Sequence, residues 1–416
     1  MVLESEQPYT VPKNWCWVWL PVTFENHTDS KKKVQQKTYL EDGRVSVVDQ
    51  GQELVGGYTD DESMLYSGEL PVVIFGDHTR CIKYIDFPFA QGADGVKVLK
   101  PKAFYSPKAF YYSLQAVDIP NMGYRRHFPL FDQYAMPVPP PAEQQRIVVR
   151  IEDLFAKLDE AKEKAQSVLD SFETRKAAIL HKAFTGELTA KWRAEQRVSF
   201  ETWKSSPLAE ITTVVSGYAF SSKDFSEENT VPCIKITNVG VGEYVADDYE
   251  FLPESYLEEY ERFAVKKGDI LISLTRSFIN AGLKVCICEE ERASLLNQRV
   301  ALIKNCNTGY IFYYLRSDDV LKYVKEKSKT TNQPNLSIKD LNNMLIAVPC
   351  ADEQSEIVRI LDSLFAKEQQ AKEAAEAVLE KIDLLKKSIL ARAFRGELGT
   401  NDPAEQSVLE LLKCIL

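Results

Sequence analysis

The sequence predicts an α+β protein: two mixed α/β heads separated by two long helices, paired antiparallel as a coiled coil with pseudo-two-fold symmetry. Three observations carry that expectation. Residues 138–188 and 348–398 align without a gap at an offset of 210, and 24 of the 51 positions are identical. Both copies have helical periodicity, whereas 1–137 and 199–347 are strand-rich and share short patterns. A repeat of this length dictates architecture before local propensity does. The expected organisation is a first head at 1–137, a first helical region at 138–198, a second head at 199–347 and a second helical region at 348–416.

In the first head, the short β-rich run Val72 to Phe75 leads into a polar turn, Asp77-His78-Thr79-Arg80. In the second, Ile270 to Leu274 leads into Thr275-Arg276. Val96 to Lys100 resembles Val300 to Lys304, and Phe110-Tyr111-Tyr112 resembles Phe312-Tyr313-Tyr314. The heads therefore read as distant copies. Tyr111, Tyr112, Tyr313 and Tyr314 are expected in the core rather than as base-stacking platforms.

The first helix is expected over 143–184, after Pro139-Pro140-Pro141 and before Gly186. At 1.5 Å per residue it would span roughly 63 Å. Its apolar stripe runs through Ile147, Ile151, Leu154, Leu158, Ala161, Ala165, Val168, Phe172 and Ile179 in steps of four and three, with Arg175 as its polar intruder. The second copy has Glu368 in the same capacity, among Ile357, Leu361, Leu364, Ala371, Ala375, Val378, Ile382, Leu385 and Ile389. Setting Arg175 against Glu368 in an antiparallel pair aligns every other layer. Leu158 then faces Leu385, Ala165 faces Val378, Val168 faces Ala375 and Phe172 faces Ala371. An ion pair there sets register more than stability, because desolvation offsets much of the attraction.

A doubled helical spacer between unlike heads suits a ligand with two separated sites, and double-stranded DNA is the obvious one. The net charge of −10 argues against a simple basic coat on DNA. By segment the charge is −3, +1, −4 and −4 in chain order. Local basic loops must then make the contacts, with partners supplying further phosphate neutralisation. The richest such stretch is 320–339, with Lys322, Lys325, Lys327, Lys329 and Lys339. The candidate contacts are Asp77, His78, Thr79, Arg80, Tyr124, Arg125, Arg126 and His127 in the first head. In the second they are Thr275, Arg276, Arg299, Lys327, Lys329, Thr330, Thr331, Asn332 and Gln333. Arginine and lysine meet phosphates or guanine, and Asn and Gln can read adenine edges.

Catalytic signatures are missing. The four histidines, His27, His78, His127 and His181, lack metal-ligand spacing, and there is no phosphate-binding Gly-x-x-x-x-Gly-Lys-Ser/Thr loop and no Gly-x-Ser-x-Gly elbow. Asp86-Phe87-Pro88-Phe89 only superficially resembles an amino-methyltransferase motif and reads as an apolar loop. The eight scattered cysteines read as reduced thiols, with no metal site. With no signal peptide and no apolar run of membrane length, a cytoplasmic location is expected.

The repeated residues Glu143-Gln144, Ile147-Val148, Phe155, Ala183-Phe184 and Gly186-Glu187-Leu188, with their copies, resemble the conserved spacers of specificity subunits of type I restriction–modification enzymes. Phe75 to Arg80, Gly123 to His127 and Asn297-Gln298-Arg299 are similar to that family's target-recognition domains. Cys350 departs from the family's Pro-Pro pair. The resemblance implies a non-catalytic subunit that reads a bipartite DNA target, one half-site per head, with the helices setting the gap. Its partners would be two modification (methyltransferase) subunits and two restriction (translocase/nuclease) subunits. They would bring S-adenosylmethionine, ATP and Mg, with no cofactor in this chain. The rival readings are a fused DNA methyltransferase and a coiled-coil scaffold with two binding heads.

Overall fold

The computed structural model describes residues 2–328 and 335–415. The chain is α+β and divides into two compact units. Unit 1 comprises Met1–Gln166 with Glu376–Leu416, and unit 2 comprises Ser167–Ala375. The units cut across the four segments expected from sequence, because each gathers one head together with part of both repeats.

Each head has the same sheet plan. In unit 1 a four-stranded sheet runs in the order Phe24–Asn26, Val96–Pro101, Val72–Gly76, Ile82–Ile85. In unit 2 the order is Thr213–Ser216, Val300–Lys304, Ile270–Ser273, Val285–Ile287. Val72–Gly76 is a central strand buried on both faces, which explains its uninterrupted apolar run. Val73 and Phe75 pack with Leu99 and the helix residues Phe110 and Leu114, while Val72 and Ile74 pack with Val98 and Phe89. Ile270–Ser273 divides its faces in the same way. A second sheet in each head pairs one strand antiparallel and another parallel. The final strand of each head, Ala135–Val138 or Leu345–Val348, pairs with its first and delivers the chain into a repeat.

The two repeats differ in continuity. The second is one helix, Ala351–Ala393. The first is Pro141–Asp170 and then Phe172–Phe184, so the unbroken helix expected over 143–184 is corrected to two segments. The interruption is at Ser171, whose hydroxyl donates to the Ser167 carbonyl at 2.6 Å. Serine back-bonding of this kind bends helices, and position 381 of the other copy is Lys, which has no hydroxyl to do it. Arg175 reaches this bend. Its guanidinium donates to the Val168 carbonyl at 3.2 Å and pairs with Glu368 at 2.8 Å.

Within each unit the helical segments run in opposite directions. In unit 2, Arg175 meets Glu368 and Thr189 meets Glu353; in unit 1, Asp159 meets Lys386 and Glu143 meets Thr400. The strict layers inferred from sequence do not all close. Leu385 is 47% exposed and Val378 is 40% exposed, so each keeps one side open to solvent at the Leu158 and Ala165 layers. Lys386 lies over Phe155, and Lys372, the neighbour of Ala371, lies over Phe172. A 3.6-residue helix drifts off a 3.5-residue stripe, and a two-helix contact covers only one side of each residue.

The anchors of the repeats are shared by both units. Glu143 and Glu353, 210 positions apart, are both fully buried in the first turn of their helices. Glu143 accepts from Thr400 at 2.6 Å and from Arg146 at 2.8 Å, and Arg146 also pairs with Glu405. Burial pushes the Glu143 carboxyl up, while Thr400 and Arg146 pull it back down. Glu353 accepts from Thr189 at 2.6 Å, from the Trp203 indole at 3.0 Å and from Arg193. Each carboxylate thus ties the start of one repeat to the chain just after the Gly-Glu-Leu ending of the other. The neighbouring glutamines close their turns alike: Gln144 donates to the Pro139 carbonyl at 2.9 Å and Gln354 to Pro349 at 3.0 Å.

Candidate nucleic-acid interface

In unit 1 the turn after Val72–Gly76 holds four of the sequence candidates. Its hairpin is closed by the Arg80 amide donating to the Gly76 carbonyl at 2.8 Å, with Arg80 left-handed at φ 59°. The turn sits on Gln50. Thr79 donates to the Gln50 carbonyl at 2.6 Å, and the His78 amide donates to the Gln50 side chain at 3.2 Å. Gly76 is required here, because a Cβ would lie 2.3 Å from the Thr79 hydroxyl. Gln50 carried no signal in the sequence that marked it as the seat of this turn.

The loop at 119–128 lies against that turn. The Arg80 guanidinium donates to the Ile119 carbonyl at 2.8 Å. The Asp77 carboxylate accepts the Phe128 amide at 2.7 Å, and the Asp77 carbonyl accepts both the His127 amide and its Nδ1, each at 2.8 Å. His127 Nε2 accepts the Met122 amide at 3.0 Å. Asp77 is 3% exposed and His127 is fully buried, so neither presents a side chain to a ligand in this conformation. Both were expected to contact DNA, and both are corrected to groups that hold the loops. The physical reason is that loop amides and carbonyls must find partners when buried, and these two side chains supply them.

The surface that remains is Thr79, Tyr124, Arg125 and Arg126, all exposed. Tyr124 is 89% exposed and stacks on the His78 ring at 4.9 Å with planes 15° apart. The result is two cations beside a flat aromatic edge.

In unit 2 the corresponding turn brings Thr275, Arg276 and Arg299 together. The Leu274 amide donates to the Arg299 carbonyl at 2.9 Å, and Arg276 repeats the left-handed conformation of Arg80 with φ 51°. Arg276 and Arg299 are exposed. Thr275 pairs backbone to backbone with Asn335, and the Leu336 amide donates to the Leu274 carbonyl at 2.8 Å. Lys284, not singled out from sequence, lies nearby. Burial lowers its pKa first, and the Arg276 charge lowers it further. The basic stretch expected as a loop over 320–339 is instead helical, among the described residues, at Asp318–Lys327 and Ile338–Asn342. Lys327 is exposed near the end of the first of these helices, 5.5 Å from the Tyr323 ring. Lys329, Thr330, Thr331, Asn332 and Gln333 lie outside the described residues.

The aromatic candidates for core positions do pack. Tyr112 meets Phe155 edge-on at 5.9 Å, and Tyr313 meets Phe365, the repeat counterpart of Phe155, at 5.5 Å. Phe89 of the methyltransferase-like motif is buried in a strand. Among the described residues no three His, Cys, Asp or Glu side chains are grouped as a metal would need, and no helix is long and apolar enough to cross a membrane.

Residues 200–381 match the model of the type I restriction modification DNA specificity domain. The MjaVIII specificity subunit of Methanocaldococcus jannaschii is 30% identical over 264 residues, covering 61% of each chain. The EcoKI specificity subunit of Escherichia coli is 29% identical over 281 residues, 66% of this chain and 60% of that one. The chain therefore spans about three fifths of these two relatives' length. The EcoBI specificity subunit of Escherichia coli is 24% identical over 409 residues, 92% of this chain and 83% of the other. The fold of the HsdS subunit from Thermoanaerobacter tengcongensis matches with a TM-score of 0.61 at 18% identity, covering 95% of this chain and all of that one.

Proposed function

We propose that this chain, similar over much of its length to specificity subunits, is the non-catalytic DNA-reading subunit of a type I restriction–modification complex. Each head reads one half of a bipartite double-stranded target, and the two repeats, paired antiparallel with pseudo-two-fold symmetry, set the unread gap. The observation that carries this reading is the repeated reader. In both heads the same central strand ends in a Thr-Arg turn with a left-handed arginine, and exposed cations surround it. The loops around the two turns differ, as two different half-sites require, while the anchors at Glu143 and Glu353 are alike. Phosphate contacts from lysine and arginine would position the heads, and contacts to base edges would discriminate sequence. Half-sites read from one face of B-DNA lie about one turn, roughly 34 Å, apart.

On this reading two modification subunits bring S-adenosylmethionine and methylate adenine, and two restriction subunits bring ATP-driven translocation and cleavage with magnesium. The chain's acidic balance suits a subunit whose partners supply much of the phosphate neutralisation. The assembly would act on DNA in a prokaryotic cytoplasm. The test is to co-express the chain with its cognate modification subunit and map N6-methyladenine across plasmid and host DNA. A two-part motif with a fixed gap, dependent on both chains, is the expected result. Methylation by this chain alone would make it an enzyme, and no new methylation from a soluble assembled complex would favour the scaffold reading.

A further inference from the structure

We infer that His127 is a positioning residue that clamps the two reading loops of the first head into one rigid element, and that it does so without touching DNA. The inference rests on the proposed DNA-reading function. The two loops are far apart in sequence, at 76–81 and 119–128; the first is closed on itself and seated on Gln50, and the second is tied to it across a seam of hydrogen bonds. The Met122 amide is a donor, so the Nε2 that receives it carries no proton. Nδ1 then bears the hydrogen and donates it to the Asp77 carbonyl. The fully buried imidazole is therefore neutral and has both nitrogens committed, one to each loop. Three further bonds run across the same seam: the His127 amide to the Asp77 carbonyl, the Phe128 amide to the Asp77 carboxylate, and the Arg80 guanidinium to the Ile119 carbonyl. Above this seam the exposed ring of Tyr124 lies flat on His78, so a residue of one loop is already stacked on a residue of the other. Gly123 allows the turn between them with φ +68 and open space where a Cβ would be.

The consequence is that base preferences read by the 76–81 turn and by Tyr124, Arg125 and Arg126 are set together. A residue that itself reads a base governs one position. A clamp governs every position its loops touch, because leaving a buried donor or acceptor unpaired shifts the whole loop.

The experiment uses the full chain co-expressed with its modification subunit, with N6-methyladenine mapped genome-wide. His127→Phe fills the space but offers no polar atom, and His127→Gln has an amide that donates and accepts. For His127→Phe, the first half-site should relax at several adjacent positions, with methylation at one-base mismatches rising about tenfold relative to the cognate site. The second half-site and the gap should be unchanged, and His127→Gln should restore most of the lost discrimination. Relaxation confined to one base pair would make His127 a base-contacting residue and overturn the clamp. An unchanged motif, or equal loss at both half-sites in a soluble complex, would overturn it as well. If the unmodified complex yields no bipartite motif, the DNA-reading function itself fails, which is a separate result. A second measurement needs no variant: by hydrogen exchange, the Met122 and Phe128 amides should be protected, and fast exchange at Met122 would rule out the imidazole bond.

Discussion

The two reading edges reach similar geometry by different bonds. In the first head the turn after the central strand is tied to its neighbouring loop through side chains, chiefly His127 and Asp77. In the second, Thr275 and Leu274 pair with Asn335 and Leu336 backbone to backbone. The anchors beneath them are not interchangeable in this way, since Glu143 and Glu353 occupy the same position of the repeat and are buried alike. The difference teaches where divergence is tolerated. A buried carboxylate inside a packed helix start has few substitutes, whereas a surface loop can satisfy its amides with a side chain or with another strand.

The largest expected effect tests the shared anchors. Glu353→Ala leaves Arg193, whose side chain is 11% exposed, without its carboxylate, and orphans the Thr189 and Trp203 donors. Removing one partner of a buried pair costs about 3–5 kcal/mol. Glu143→Ala should cost less, about 1–2 kcal/mol, because Arg146 is 38% exposed and keeps Glu405. Denaturant unfolding of the two variants measures the difference, and equal losses would mean the second carboxylate does not matter.

The reading edges come next. Arg276→Ala should weaken discrimination at the second half-site by about 1–3 kcal/mol and leave the first intact, with Arg126→Ala doing the reverse. Methylation maps of both variants decide it, and a loss shared by both half-sites would break the assignment of one head to one half-site.

A smaller effect concerns the helix contacts. Arg175 and Glu368 pair in unit 2, where the repeat counterparts in unit 1 are Leu385 and Leu158. Arg175→Leu alone should cost about 1–2 kcal/mol by stranding a partly buried Glu368. The double change Arg175→Leu with Glu368→Leu should recover to within about 1 kcal/mol of the parent, since an apolar pair replaces an ion pair at little net cost. A double-mutant cycle in thermal unfolding reads this directly, and purely additive losses would show that the pair is uncoupled. The smallest change is Lys327→Ala, an exposed cation in the second head. It should weaken DNA binding evenly across sequences and reduce the slope of log K against log salt by about 1. A change in base preference instead would place Lys327 at a base edge.

Much of the scaffold could be read from residues alone. The apolar runs at Val72 to Phe75 and Ile270 to Ile272 are strands because a strand buried on both faces needs no alternation. Arg175 and Glu368 point to each other because each is the polar exception in an apolar stripe, and they lie 2.8 Å apart. The stripe was less informative about layers. Leu385 and Val378 fit the period yet remain 47% and 40% exposed, since periodicity names a face and not what covers it. Ser171 was unremarkable in sequence, and its hydroxyl matters only because it bonds back to Ser167 at a bend.

By itself, the sequence determined the doubled helical scaffold, the strand runs of both heads and the two arginine turns, all of which follow from local pattern and repetition. Only the tertiary structure decided which polar residues face outward. Asp77 and His127 sit in stretches as polar as those of Arg125 and Arg126, yet the first two are buried and the second two exposed. An imidazole or carboxylate in a loop has the same local sequence whether it meets solvent or a buried amide. The amide that captures it is placed by contacts between segments some fifty residues apart, and a linear pattern carries no record of them.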